Sequence, residues 1–210
     1  MNQLQISTNN KNLKHNGMRI PVLVITLALA SVCSPRANAQ NGHDHSQAQQ
    51  QEKSAEQLSQ ENALVKVIRD SSERFKDVKV AEAAGYKLTF GCVSGEDYGA
   101  MGLHYVNFDL VAAGVLDATR PQIIIYEATP NGGRKLIGAD YLLLAEPWDA
   151  KKAGPPELMG QFFHLFTSPN RFGLPAFYTL HVWAWKPNPK GTFVNWHSKV
   201  SCDEFDGKKP

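Results

Sequence analysis

Apolar and polar positions change their spacing several times along this chain, and each change marks an element. From Ile20 to Cys33 the run IPVLVITLALASVC is apolar for 14 residues, behind a basic stretch containing Lys11, Lys14 and Arg19. From Gln40 to Lys53, QNGHDHSQAQQQEK, periodicity disappears. From about Ala55 to Ala84 helical spacing takes over, carried by Leu64, Val67, Ile68 and Phe75 and continued by Val78, Ala81 and Ala84. Asp77 is placed to cap a second helix, and Gly85 to end it in a left-handed conformation. Beyond Gly85 the period falls to two. Tyr86–Val93, Met101–Asn107, Gln122–Ala128, Lys135–Leu144 and Phe177–Trp185 read as strands. Pro130-Asn131-Gly132-Gly133 predicts a hairpin between the third and fourth, and Pro187-Asn188-Pro189 stops the last. The segment 145–176 is rich in Pro, Gly and Phe and is expected to hold one helical turn near Pro156–Gly160. Helices followed by strands, without βαβ alternation, predict an α+β domain: an N-terminal amphipathic helix pair packed on a mainly antiparallel β-sheet.

The apolar run and its basic flank have the form of a signal peptide, with a small-residue cleavage site at Ala37-Asn38-Ala39. A membrane-spanning helix needs about 20 apolar residues, so no stable span is expected once cleavage near Ala39 has occurred. Met18 is a second candidate start. Val32 ahead of Cys33 disfavours acylation of that cysteine. The expected organisation is a signal peptide over 1–39, a disordered linker over 40–53 and one α+β domain over 54–210, in a periplasmic or secreted protein. The linker's His43-Asp44-His45 has at most weak affinity for a divalent metal.

Export changes the charge. Four of the 22 basic residues precede position 40 and no acid does, so the mature chain has 18 basic and 20 acidic residues and a net charge of −2. That balance gives no support to a nucleic-acid partner, which requires a basic face, and none is expected. Removing Cys33 leaves Cys92 and Cys202, an even pair in an oxidising compartment, which reads as a disulfide; the alternative is two buried thiols.

Several blocks carry a resemblance. They are Ala83-Ala84-Gly85-Tyr86, Met101-Gly102-Leu103-His104-Tyr105-Val106-Asn107, Arg120-Pro121, Tyr126-Glu127, Gly160-Gln161, Phe177-Tyr178-x-Leu180-His181-Val182-Trp183-x-Trp185, Asn188-Pro189-x-Gly191-x-Phe193 and Val200-Ser201-Cys202. Over about residues 70–202 the chain resembles a family of exported bacterial proteins of unassigned activity. The resemblance implies a common fold and lends no mechanism. The chain departs from that pattern at His197, where an Asn is expected, and at Asp140, where a Glu is expected.

Candidate chemistry rests on polar residues placed inside apolar strands, where an unpaired polar group is costly. His104 shares a strand face with Gly102 and Val106; His181 shares one with Thr179, Trp183 and Trp185. If the two faces coincide, the imidazoles converge beside an aromatic wall. Two histidines and a carboxylate form a ligand set for zinc or non-haem iron. The candidate acids are Glu127 and Asp140. A hairpin centred on Asn131-Gly132 puts Glu127 opposite Leu136 and leaves Asp140 about 14 Å along the same face. Glu127, ending an Ile-rich strand, is the first choice. His164 reads as loop packing. There is no HExxH or CxxC metal signature, no G-x-S-x-G elbow, no P-loop and no dinucleotide fingerprint.

The leading expectation is therefore a binding protein. A small ligand or divalent metal would be held by His104, His181 and Glu127, with Trp183, Trp185 and Tyr105 lining the pocket. Two readings stand beside it. One is a metal-dependent hydrolase or oxygen-using enzyme built on the same residues, with Tyr105 as its acid–base group. The other is a non-catalytic interaction module presenting the Phe-rich segment 162–177. For the two histidines, simple hydrogen bonding to a carbonyl or a tyrosine is the structural alternative.

Overall fold

The computed structural model describes residues 52–207. The expected signal peptide, the His43-Asp44-His45 triplet and all but the end of the expected linker lie outside the described residues. Eight strands form in chain order: β1 Lys87–Ser94, β2 Ala100–Val106, β3 Ile123–Ala128, β4 Arg134–Leu144, β5 Glu157–Leu158, β6 Gln161–Phe162, β7 His164–Phe166 and β8 Phe177–Val182. Four helices accompany them: α1 Ala55–Ser72, α2 Val78–Ala83, α3 Phe108–Ala113 and α4 Ala145–Asp149. The fold is α+β. Six strands build one sheet in the order β1-β2-β3-β4-β8-β7, each neighbouring pair antiparallel, while β5 and β6 form a separate two-stranded ribbon.

Local chemistry explains the element ends. Ser54 caps α1 with a reciprocal box to Gln57, and Asp77 accepts from Lys79 N–H at the start of α2. The helical turn expected near Pro156–Gly160 is absent. That stretch is the β5–β6 ribbon, and the helical turn forms earlier, at α4. Phe177 opens the last strand as expected, but β8 ends at Val182 rather than Trp185. Ala184 N–H turns back to the Val182 carbonyl, and Trp185 and Lys186 N–H groups donate to Ile137 O. Trp183 and Trp185 consequently do not share a strand face.

The β3–β4 hairpin carries a bulge. Tyr126 pairs with Leu136, yet Ile125 pairs with Gly138, leaving Ile137 as the extra residue. On the turn side of the bulge, Ala128 pairs with Arg134 and Glu127 with Lys135 instead of Leu136, one position from the register of a turn centred on Asn131-Gly132.

Pairing then sorts the side chains onto two faces, because directly opposed residues share a face and neighbours alternate. His104 opposes Ile125, Ile123 opposes Asp140, and Asp140 opposes His181. Tyr105 opposes Ile124, Ile124 opposes Ala139, and Tyr141 opposes Leu180. One face carries the histidines and Asp140, the other the tyrosines. Both are covered: every residue of β2 and of β8 is buried.

Candidate metal centre

The histidine face is curled. His104 on β2 and His181 on β8 are three strand spacings apart, about 14 Å between backbones, but their ring centroids are 6.2 Å apart. Two glycines permit this close packing. Gly102, at φ +93°, sits where a Cβ would lie 2.6 Å from Tyr126 O, so only glycine fits. Gly138 lies opposite Ile125, and a Cβ there would meet Val182 O at 2.5 Å.

The three buried histidines differ in what their nitrogens do. His197 is fully satisfied: Nε2 lies 3.1 Å from Pro187 O, and Nδ1 accepts Lys199 N–H at 3.0 Å. It also abuts Trp183, ring centroids 4.8 Å apart. His104 uses one nitrogen, Nδ1, 3.1 Å from Gly102 O. A carbonyl only accepts, so the proton sits on Nδ1 and the Nε2 lone pair remains for another partner. His181 uses neither. Both its nitrogens are buried without a hydrogen-bond partner among the described residues, a condition that costs free energy unless something absent from the protein chain satisfies it.

Asp140 completes the group. One ligating atom each from His104, Asp140 and His181 lie within 4.8 Å of one another, and all three residues are buried. Asp140 Oδ1 accepts the Thr179 hydroxyl at 2.5 Å, and Oδ2 lies 3.9 Å from His181 Nδ1. Burial drives the protonation of all three toward neutrality. Desolvation raises the Asp140 carboxyl to about 7 against the pull of Thr179 and the Leu180 and Tyr141 amides. It lowers His104 to about 4, partly countered by the bond to Gly102 O. It holds His181 well below its ordinary value, helped by His104 and His197. Neutral imidazoles offer lone pairs, as a metal requires. A group of this composition could hold a metal ion.

The group opens on a cavity walled by Phe90, Met101, Leu142, Phe166, Phe172 and Phe177, with Ile123, Thr179 and Asn195. The cavity is narrow. The aromatic wall is itself packed, with Phe172 5.2 Å from Phe90 and Phe166 stacked on Phe177 at 5.2 Å.

Of the residues singled out in the sequence, His104 and His181 come together here. Glu127 does not join them. At the end of β3 it accepts two bonds from Lys186 Nζ, 2.6 and 2.8 Å, while the same ammonium donates to Lys199 O at 2.7 Å. Trp183 touches His181, ring centroids 4.4 Å apart, and donates to Val194 O. Trp185 lies elsewhere, donating to Ser72 Oγ at 3.1 Å with the Lys76 ammonium over its ring. Tyr105 is on the opposite face, edge-on to Tyr126 at 5.0 Å, so it neither lines this cavity nor reaches the group. Cys92 and Cys202 form a disulfide. His164 is exposed on the edge strand β7. Phe163 is buried and Phe166 and Phe172 face the cavity, leaving Phe162 and Leu165 as the exposed apolar residues of the Phe-rich segment.

Compared with protein-family models, curated proteins and solved structures, the chain matches none of them. Among the described residues no helix is long and apolar enough to cross a membrane.

Proposed function

We propose that this is an exported protein that binds one divalent transition-metal ion through His104, Asp140 and His181, in the periplasm or outside the cell. The observation that carries the metal reading is His181. Its two buried ring nitrogens have no partner among the described residues, and two further ligating groups stand within 4.8 Å. A structural histidine in this same protein looks different: His197 has both nitrogens bonded. Two histidines and a carboxylate with an open side suit zinc or non-haem iron. The Thr179 hydroxyl on Asp140 and the Gly102 carbonyl on His104 are the outer contacts that orient such ligands. Export is supported by the apolar run ahead of Ala39 and by the Cys92–Cys202 pair.

The test is metal content. The full chain, exported without an affinity tag and carrying His43→Ala and His45→Ala, should hold about one equivalent of zinc, iron or copper. The His104→Ala/His181→Ala variant should hold none. Background metal in both proteins would overturn the reading.

A metal-dependent enzyme is the second reading, favoured by the three-ligand set, which leaves a coordination position for substrate or water. Tyr105, on the other face, is not available as its acid–base group.

A further inference from the structure

The metal reading above, on which this inference rests, leaves a charge unbalanced. A divalent ion held by two neutral imidazoles and one carboxylate keeps one positive charge. All three ligands are buried, and among the described residues Asp140 is the only charged group in the cavity lining. The rest of the wall is phenylalanine, aliphatic side chains, Met101, Thr179 and Asn195. An uncompensated charge in such surroundings is unfavourable and recruits a counter-charge. Three protein ligands also leave a tetrahedral ion one position short. The cavity it opens on is closely walled by Phe90, Phe166, Phe172 and Phe177, which disfavours a bulky organic anion in contact with the metal.

One polar group remains to receive a small anion. The Thr179 hydroxyl is committed to Asp140. Asn195 is half-buried at the cavity edge and makes no side-chain hydrogen bond among the described residues. Its amide N–H donors suit an anionic acceptor. The chain brings it there through the segment after β8, held by Trp183 Nε1 donating to Val194 O and by the pairing of His197 with Ala100.

We infer that the open metal position is built for a small monoanion, of hydroxide to azide size, which cancels the residual charge and accepts a hydrogen bond from Asn195. Small neutral donors of the same shape are discriminated against, because they leave the charge in place.

Azide and acetonitrile make the comparison, being linear and similar in size but different in charge. Both are titrated into the full chain loaded with cobalt(II), with the visible ligand-field bands as readout. Azide should shift the bands saturably, and acetonitrile at equal concentration should not. Asn195→Ala should weaken azide about fivefold to tenfold, the worth of one hydrogen bond. Asn195→Asp, which adds a competing negative charge, should weaken it further. Cobalt bands present but unmoved by azide, or moved equally by acetonitrile, would overturn the inference and leave the metal site standing. Azide affinity unchanged in both Asn195 variants would remove Asn195 from it. Absence of cobalt bands altogether would overturn the metal reading itself, and this inference with it.

Discussion

The two faces of the sheet handle buried polar groups in opposite ways. On the tyrosine face, three buried phenols are answered by backbone carbonyls, and Tyr178 by the Asp149 carboxylate. Tyr126 donates to Phe75 O, Tyr86 to Pro121 O and Tyr141 to Ala118 O, at 2.6, 2.7 and 2.6 Å. These bonds fasten flanking segments to the sheet. On the histidine face, His104 and His181 face Asp140 and one another, and His181 has no bond at all. Burial is as deep on both sides. The difference is that these phenols find partners within the chain, while the His181 nitrogens find none among the described residues. Buried polar residues become a functional signal when their bonds are counted, not when they are merely noticed.

Removing the disulfide should have the largest effect. Cys92 opposes Leu103 and Leu103 opposes Tyr126, so the bond to Cys202, across a separation of 110 residues, ties the tyrosine face to the segment that also brings Asn195 to the histidine-face cavity. Replacing both cysteines with alanine should cost about 4–5 kcal/mol in urea denaturation, from the released chain entropy. A loss below about 1 kcal/mol would mean that this segment is held by packing alone.

Next is metal loading. With free zinc or cobalt at about 100 times the dissociation constant, the wild type should gain about 2.7 kcal/mol of stability. His181→Phe should gain nothing, and Tyr126→Phe should gain as much as the wild type. An equal gain in all three proteins would place the ion elsewhere.

Alkaline pH should act through the tyrosine face. Burial pushes the Tyr86 phenol up to about 12 from an unfolded value of 10.0, and raises Tyr126 and Tyr141 in the same direction. A folded pKa above the unfolded one contributes stability that is complete below pH 10 and is lost as pH rises through the folded value. Unfolding free energy should therefore decline between pH 10 and 12, with phenolate absorbance appearing together with unfolding. Phenolate appearing in the folded protein near pH 10 would contradict the packing described here.

The smallest effect separates the faces most cleanly. In metal-free protein, Tyr126→Phe removes a satisfied bond and strands Phe75 O, costing about 1–2 kcal/mol. His181→Phe removes two unsatisfied nitrogens and should be neutral or slightly stabilising. Equal costs in chemical denaturation would erase the contrast.

Much of the sheet was legible because its strands alternate cleanly. The five longest strands fall within a few residues of where period two puts them. His104 and His181 stood out as polar residues in apolar runs. What could not be read was long-range pairing. Glu127 and Asp140 are equally odd acids in apolar strands. Asp140 meets the histidines because β8 returns beside β4 and sets His181 opposite it. The turn, which closes on Ala128 and Arg134 and so sets Glu127 opposite Lys135, and the bulge at Ile137 beyond it leave no mark in local spacing. Trp185 leaves the His181 face because β8 ends at Val182 and the chain turns there. Tyr105 cannot join His104 because neighbours on a strand face opposite ways.

The central claim is that His104, Asp140 and His181 bind one metal ion between them. Anomalous diffraction from crystals of the exported protein grown with cobalt tests it most directly. The expected result is one strong peak about 2.0–2.2 Å from a nitrogen of each histidine and an oxygen of Asp140. A cavity without a peak, with cobalt found only at surface residues such as His164, would contradict it.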